Sequence, residues 1–335
     1  MTSRLEQGSV ATVFGGSGFL GRYAVRALAA DGWRVRAACR RPDLAGYLQP
    51  MGAVGQVFAV QANLRYPDSV RRSVEGATAV VNMVGILSEC RLCLSRSARQ
   101  TFHAVHVTGA RTAARAARQA GVKTFVHVSA IGADRKYWAK YARTKAAGEA
   151  AVLAEFPTAV ILRPSVVFGP EDQLFNRFAA MARWPLLPLP LIGRGRTKFQ
   201  PVYVGDVAAA VAAACAGEAR PRTVYELGGP EVVTFRQLLD DMQRWSGRHK
   251  RYLPVPFWLA QIGAFLTAWM PHGLRPLTVD QVRMLMRPNV VDEAAAKDGR
   301  TLQGLGIATP NAMAGIVPQY LERFQPQGQF ANYRS

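Results

Sequence analysis

The chain has 335 residues, enough for one large domain or a domain with a smaller companion, and with 49% hydrophobic residues it can bury a substantial core. No stretch reaches the ~18 uninterrupted apolar residues that a membrane-spanning helix needs. Lys and Arg number 42 against 22 Asp and Glu, a formal net charge of +20, which either draws polyanions (nucleic acid, anionic lipid, an acidic protein) or marks only a solvated basic surface.

In chain order, residues 10–14 read as a strand. It begins so early that no signal or transit peptide is expected ahead of it. A helix follows over 18–31, then strands at 34–39 and 56–60, a helix near 68–75 and a continuous apolar strand at 79–84. The spacing predicts a long helix over 101–120, a strand at 124–129, a helix over 137–155 and a sixth strand at 159–167. Strands alternating with helices call for a parallel sheet covered on both faces. The expected fold is therefore α/β: a Rossmann doubly wound parallel sheet with a smaller C-terminal α/β lobe.

Beyond Gly169 the chain becomes proline-rich, then basic at Arg194–Lys198. An Ala-rich apolar helix covers 207–216, a strand 223–227 and a helix 234–246, and several short helices follow Tyr252. Residues 1–170, completed by about 200–228, are expected to form the nucleotide-binding domain. Residues 171–199 and 229–335 are expected to form the smaller lobe. Four cysteines (39, 90, 93 and 215) are too few and scattered for a disulfide framework, and predict a reducing compartment. Cys90 and Cys93 have no second Cys or His pair beside them, so no metal site is expected. No helix-turn-helix, zinc finger or aromatic platform points to nucleic acid.

Gly15-Gly-Ser-Gly-Phe-Leu-Gly21 lies between a strand and a helix, the context a dinucleotide fingerprint requires. Glycines allow the tight turn and the close backbone approach, and the helix N-terminus offers N–H groups to the pyrophosphate. Gly15, Ser17, Gly18, Phe19, Leu20 and Gly21 are the expected contacts. NAD sites place an acid at the end of the second strand for the ribose 2′-OH. Here Cys39 is followed by Arg40 and Arg41, which suit a 2′-phosphate and favour NADP(H). Asn63 and Leu64 fall where the adenine rests, and Asn82 and Gly85 fall beside the ribose and nicotinamide.

Tyr141 and Lys145 share a helix face at i, i+4, and Ser129 ends the fifth strand. A phenol titrates near ~10, so an adjacent ammonium is needed to bring it toward neutrality. In this constellation the serine orients a carbonyl, the tyrosine exchanges a proton and the lysine holds the ribose.

These motifs, with Arg163-Pro-Ser-Val-Val-Phe-Gly-Pro170, resemble the short-chain dehydrogenase/reductase superfamily in its extended or atypical branch. The resemblance implies that Pro164 and Val167 border the nicotinamide. A narrower resemblance covers nearly the whole chain. Lys140-Tyr-Ala-Arg-Thr-Lys-Ala-Ala-Gly-Glu149, Gly169-Pro-Glu-Asp-Gln-Leu-Phe-Asn-Arg-Phe178 and Gln200-Pro-Val-Tyr-Val-Gly-Asp206 are similar to the nucleotide-binding accessory subunit of respiratory complex I and its bacterial relatives. That resemblance implies a structural NADPH, docking on the hydrophilic arm, and a peripheral position on the inner membrane (cytoplasmic side in bacteria, matrix side in mitochondria). Since Ser129, Tyr141 and Lys145 are all present, an active NADP-dependent oxidoreductase or epimerase, in quinone or nucleotide-sugar metabolism, stays open. So does an NADP(H)-sensing regulator.

One apolar stretch, 256–271, carries Trp258 and Trp269 and follows Arg248-His-Lys-Arg251. It is too short to cross a bilayer. It reads either as an interfacial helix on an anionic membrane surface or as a buried helix of the smaller lobe.

Overall fold

A computed structural model describes residues 8–89, 100–184, 188–267 and 277–326. Cys90 and Cys93, Trp269 and most of the 86–100 loop lie outside them. The first strands are β1 (Val10–Phe14), β2 (Arg34–Cys39), β3 (Val57–Gln61), β4 (Ala79–Asn82), β5 (Thr124–Val128) and β6 (Val160–Pro164). The later ones are β7 (Val167–Phe168), β8 (Leu189–Ile192), β9 (Lys198–Phe199), β10 (Val202–Tyr203), β11 (Val224–Leu227), β12 (Val233–Thr234) and β13 (Tyr252–Val255).

The chain divides into two compact units. The first comprises Met1–Pro164, Val204–Leu227 and Val291–Ala308. Its sheet has seven strands in the order β11-β6-β5-β4-β1-β2-β3, every pairing parallel. The strands read as apolar runs because helices cover both faces of such a sheet. Four of the helices are α1 (Phe19–Ala30), α2 (Pro67–Val74), α3 (Ala110–Gln119) and α4 (Lys140–Glu155). Strand order reverses between β1 and β4, and it is outside the carboxyl ends of strands at such a point that ligands bind. The glycine loop leaves β1 there, and Asn82 ends β4 there.

Most element boundaries fall within a residue or two of those expected, and three differences are informative. The predicted strand 79–84 stops at Asn82, whose side-chain oxygen accepts the Val84 N–H at 3.2 Å and turns the chain out of the sheet. The predicted strand 159–167 ends at Pro164, and Val167 belongs to β7 in the second unit, paired with Val202. The predicted helix 101–120 opens as a π-helical stretch, His103–Gly109, before α3. Such wide turns are rare and cluster at functional sites.

The second unit comprises Ser165–Tyr203, Gly228–Val290 and Thr309–Ser335. Residues 291–308, expected in the smaller lobe, pack with the first unit instead, where the Asp292 N–H donates to Glu226 at 2.9 Å. The first unit's helix α6 (Val204–Cys215) is the Ala-rich buried helix of the sequence. In the second unit α5 (Leu174–Ala182), α7 (Phe235–Trp245) and α11 (Met313–Leu321) enclose a core that includes Phe175, Phe178, Phe235, Leu239 and Val317. Thr234 caps α7 through a reciprocal pair of bonds with Gln237. The remaining helices are α8 (Phe257–Leu266), α9 (Val279–Met284) and, in the first unit, α10 (Glu293–Lys297). No described helix is long and apolar enough to cross a membrane.

Candidate functional site

The glycine loop is held by its own backbone. Gly15 takes φ +82° and donates to the Ala38 carbonyl at 3.0 Å, and Gly18 donates to the Gly15 carbonyl at 2.9 Å. A Cβ on Gly21 would collide with the Gly15 carbonyl, and one on Gly16 would stand 2.9 Å from the Ala37 Cβ. These positions need glycine because strand, turn and helix touch there. Gly18 precedes α1 with no side-chain cap, so the first-turn N–H groups of Phe19, Leu20 and Gly21 are available to an anion. Ser17 hydrogen-bonds the Cys39 thiol through its side chain, and its carbonyl accepts the Tyr47 hydroxyl at 2.7 Å. It thereby ties the loop to the end of β2.

At that strand end the two arginines divide. Arg41 is clamped by Asp43, Nε to Oδ1 at 3.1 Å and Nη2 to Oδ2 at 2.8 Å. Arg40 is exposed, and no ion pair of it is found among the described residues. Of the two arginines expected at a cofactor phosphate, Arg41 is thus engaged by Asp43 and Arg40 is exposed in this conformation. The Asn63 Oδ1 accepts the Arg65 N–H at 3.1 Å, forming a local turn that leaves its amide N–H groups for a base. Leu64 has only 7% of its surface exposed and packs in the core against Gly109, so its side chain serves the fold rather than a ligand.

The centre of the site lies where β4, β5, the π-helical stretch and α4 meet. Asn82 is fully buried. With its oxygen committed to Val84, its amide must donate to His127 Nδ1 at 3.2 Å. That assignment leaves the proton on His127 Nε2, a buried atom with no partner. His106 is fixed in the same way. Its Nε2 accepts the Ile86 N–H at 3.1 Å, so Nδ1 donates to the Thr144 hydroxyl at 3.0 Å, which donates to the Tyr141 carbonyl at 3.1 Å. The His106 ring meets the Tyr141 ring edge-on at 5.5 Å, and Phe102 closes the cluster. Gly85 lies beside Lys145, whose Nζ is 3.4 Å from where a Cβ would be.

Ser129 directly follows β5, with its N–H bonded to the Leu162 carbonyl at 2.7 Å, while its hydroxyl is buried without a partner. Lys145 is 5% exposed. Its Nζ donates to the Val128 carbonyl at 3.2 Å and stands 6.0 Å from the centre of the Tyr141 ring. Burial brings the Lys145 ammonium down to about 8, against a smaller opposing pull from Glu149. Burial also pushes the Tyr141 phenol up to about 12. The two histidines are held neutral, first by burial and then by the Lys145 charge: His106 down to about 2 and His127 to about 3.

At neutral pH the site therefore presents donors: the Tyr141 and Ser129 hydroxyls and the Lys145 ammonium. A phenol so protonated is suited to giving a proton or a hydrogen bond, and poorly suited to taking a proton. The unpaired Ser129 hydroxyl, the cradle closed to any Cβ and the uncapped helix end together fit a nicotinamide dinucleotide. Pro164 is buried at the end of β6, its carbonyl holding the Ile131 N–H at 3.0 Å.

A charged chain that sequence reasoning did not single out supports α4 from beneath. Arg163 on β6 grips Glu149 through two bonds, 2.9 and 2.7 Å, and reaches Glu226 on β11 at 3.3 Å. Glu149 was visible one helical turn beyond Lys145, but its partner, 14 residues away, was not. His106 and His127 carried one weak signal each, a polar residue within an otherwise apolar pattern.

Comparison with known proteins agrees with this geometry. Residues 11–228 match the model of the NAD dependent epimerase/dehydratase family. The chain is 35% identical over 331 residues to the mitochondrial NADH dehydrogenase [ubiquinone] 1 alpha subcomplex subunit 9 of Arabidopsis thaliana, covering 96% of this chain and 79% of that protein. It is 35% identical over 262 residues to a ceramide reductase of Caulobacter vibrioides, covering 78% of each. Among solved structures, an NADPH-dependent quinone oxidoreductase of Escherichia coli shares the fold with a TM-score of 0.68 at 20% identity, covering 93% of this chain and 99% of that one. With its glycine cradle, parallel sheet and Ser129, Tyr141 and Lys145 in place, this chain belongs to the NAD dependent epimerase/dehydratase family and is closely related to the alpha subcomplex subunit 9 of mitochondrial NADH dehydrogenase.

Proposed function

We propose that this chain is an NADP(H)-binding accessory or assembly subunit of respiratory complex I, with the nucleotide held mainly as a structural element. The observation that carries the reading is the likeness to the alpha subcomplex subunit over 96% of the chain, far beyond the nucleotide-binding half. The site's chemistry supports it: a phenol pushed up to about 12 and an ammonium bonded to the Val128 carbonyl make a clamp of donors for the ribose and nicotinamide. The protein then sits peripherally at the inner membrane, docked on the hydrophilic arm. The test is whether the chain co-migrates with NADH:quinone oxidoreductase activity on a native gel of mildly solubilised membranes. Tyr141→Phe removes one donor of the clamp and is expected to weaken nucleotide binding, while co-migration and that activity persist wherever nucleotide stays bound. A free soluble chain would overturn the reading, as would loss of function in a variant that still binds nucleotide and partner.

NADP(H) is preferred over NAD(H) because no acid ends β2 and Asp43, the nearest carboxylate, is held by Arg41. Arg40→Ala should weaken NADPH binding roughly tenfold or more and leave NADH binding unchanged. Equal effects on the two nucleotides, read by calorimetry, would refute the assignment.

A second reading is favoured by the intact Ser129, Tyr141 and Lys145 and by the likeness to a ceramide reductase. In it the chain reduces a carbonyl. The nucleotide when bound supplies hydride, Ser129 orients the carbonyl oxygen and Tyr141 delivers the proton.

A further inference from the structure

Within the second unit, α8 lies with one side docked and the other bare. The Phe257 ring covers Gly193, filling the space a Cβ would take, and Ala264 is 5% exposed; Gln261 reaches Met286, just beyond α9, at 3.6 Å. The opposite side presents Trp258 (63% exposed), Leu259, Ile262, Phe265 (70%) and Leu266. Their spacing, i, i+1, i+4, i+7 and i+8, places all five on one face of the helix. Together they leave roughly 500 Å² of apolar surface in water, the upper end of what a monomer tolerates. The buried-helix alternative is thus not what the fold does with this segment.

The chain flanking this face is predominantly basic. No carboxylate occurs in the sequence between Asp241 and Asp280, whereas Arg248, Lys250 and Arg251 precede α8 through β13. Arg251 is exposed, and so is Arg287, which follows Met286. Asp280 on α9 and Asp240, bonded to Tyr252 of β13, are the carboxylates on the neighbouring elements, and a predominantly basic rim around bulky aliphatic and aromatic side chains complements an anionic lipid surface. At ten residues α8 cannot span a bilayer but can lie along one.

We infer that α8 is an interfacial helix that inserts Trp258, Ile262 and Phe265 among the acyl chains of an anionic leaflet, with the neighbouring arginines on its headgroups. The inference is independent of whether the nucleotide turns over. The experiment is sedimentation of the full chain with vesicles of phosphatidylcholine plus phosphatidylglycerol, against phosphatidylcholine alone. The chain is expected to bind the anionic vesicles, and Trp258→Ser with Phe265→Ser to weaken binding roughly tenfold or more with unchanged thermal midpoint, since both residues are exposed. Brominated acyl chains are expected to quench the wild type more than Trp258→Phe. Failure to bind anionic vesicles would overturn the proposal. So would binding unaffected by the double substitution, which indicates charge attraction alone. If the double variant instead loses a co-purifying protein while neither form binds vesicles, the face is a protein interface and the lipid proposal falls.

Discussion

Replacing Glu149 by alanine is expected to destabilise the protein by about 3 kcal/mol, because it strips the partner from a charge held between sheet and helix. Arg163 is bonded twice to Glu149 and once to Glu226, and the Glu149 carboxylate has 8% of its side chain exposed. Once Glu149 is gone, the guanidinium keeps its desolvation cost and loses its better partner. Urea denaturation read by circular dichroism would show a lower midpoint with the same slope. Nucleotide affinity should fall as well, since the pair fastens α4, which carries Tyr141 and Lys145, to β6. Glu149→Gln, which keeps the volume and one acceptor, should lose less. Glu149→Leu combined with Arg163→Met, which removes both charges, should recover much of the loss. A midpoint unmoved by Glu149→Ala would mean that the pair contributes nothing and that α4 is positioned by packing alone.

Gly148→Ala should also be costly, although alanine is favoured over glycine inside a helix by about 1 kcal/mol. The Cβ it adds would collide with the His106 carbonyl oxygen, a backbone atom of the π-helical stretch that cannot rotate away. Either α4 moves off that stretch or the wide turn rearranges. Overpacking of this kind costs about 1–3 kcal/mol, and here it must first overcome the propensity gain. His106 connects Ile86 to Thr144 and thence to Tyr141, so the damage should also reach the site. Gly263→Ala provides the control. It lies in α8 with nothing near an added Cβ, and there the substitution should be neutral or stabilising. If the two glycines respond alike, close approach is not the reason for Gly148.

Much of this protein could be read before any fold was known. The alternating strands and helices, the glycine cradle between β1 and α1, and Tyr141 four residues before Lys145 all depend on local spacing, and that alternation called for a doubly wound parallel sheet. Boundaries shifted where a side chain acts out of sequence. Asn82 ends its strand early by capturing Val84. Pro164 closes β6, and the chain then enters another unit. Residues 291–308 looked like part of the smaller lobe because they follow it in sequence, whereas Glu226 and its neighbours draw them to the sheet.

The local pattern of residue types thus determined the fold class, the glycine cradle between β1 and α1 and the pairing of Tyr141 with Lys145 on one helix, because glycine turns, helical periodicity and i, i+4 pairs are properties of a few consecutive residues. Three outcomes only the tertiary structure decided. Arg41 is taken by Asp43 and Arg40 is exposed, a division that depends on how the chain turns after β2. Tyr141 is raised and Lys145 lowered, the reverse of an activated pair, because burial acts on both and only a smaller pull from Glu149 opposes it at Lys145. The apolar face of α8 is exposed, and the second unit's core forms around α5, α7 and α11 without it. The last two rest on burial, which is set by contacts between residues far apart in the chain, and the first on the path of the chain after β2.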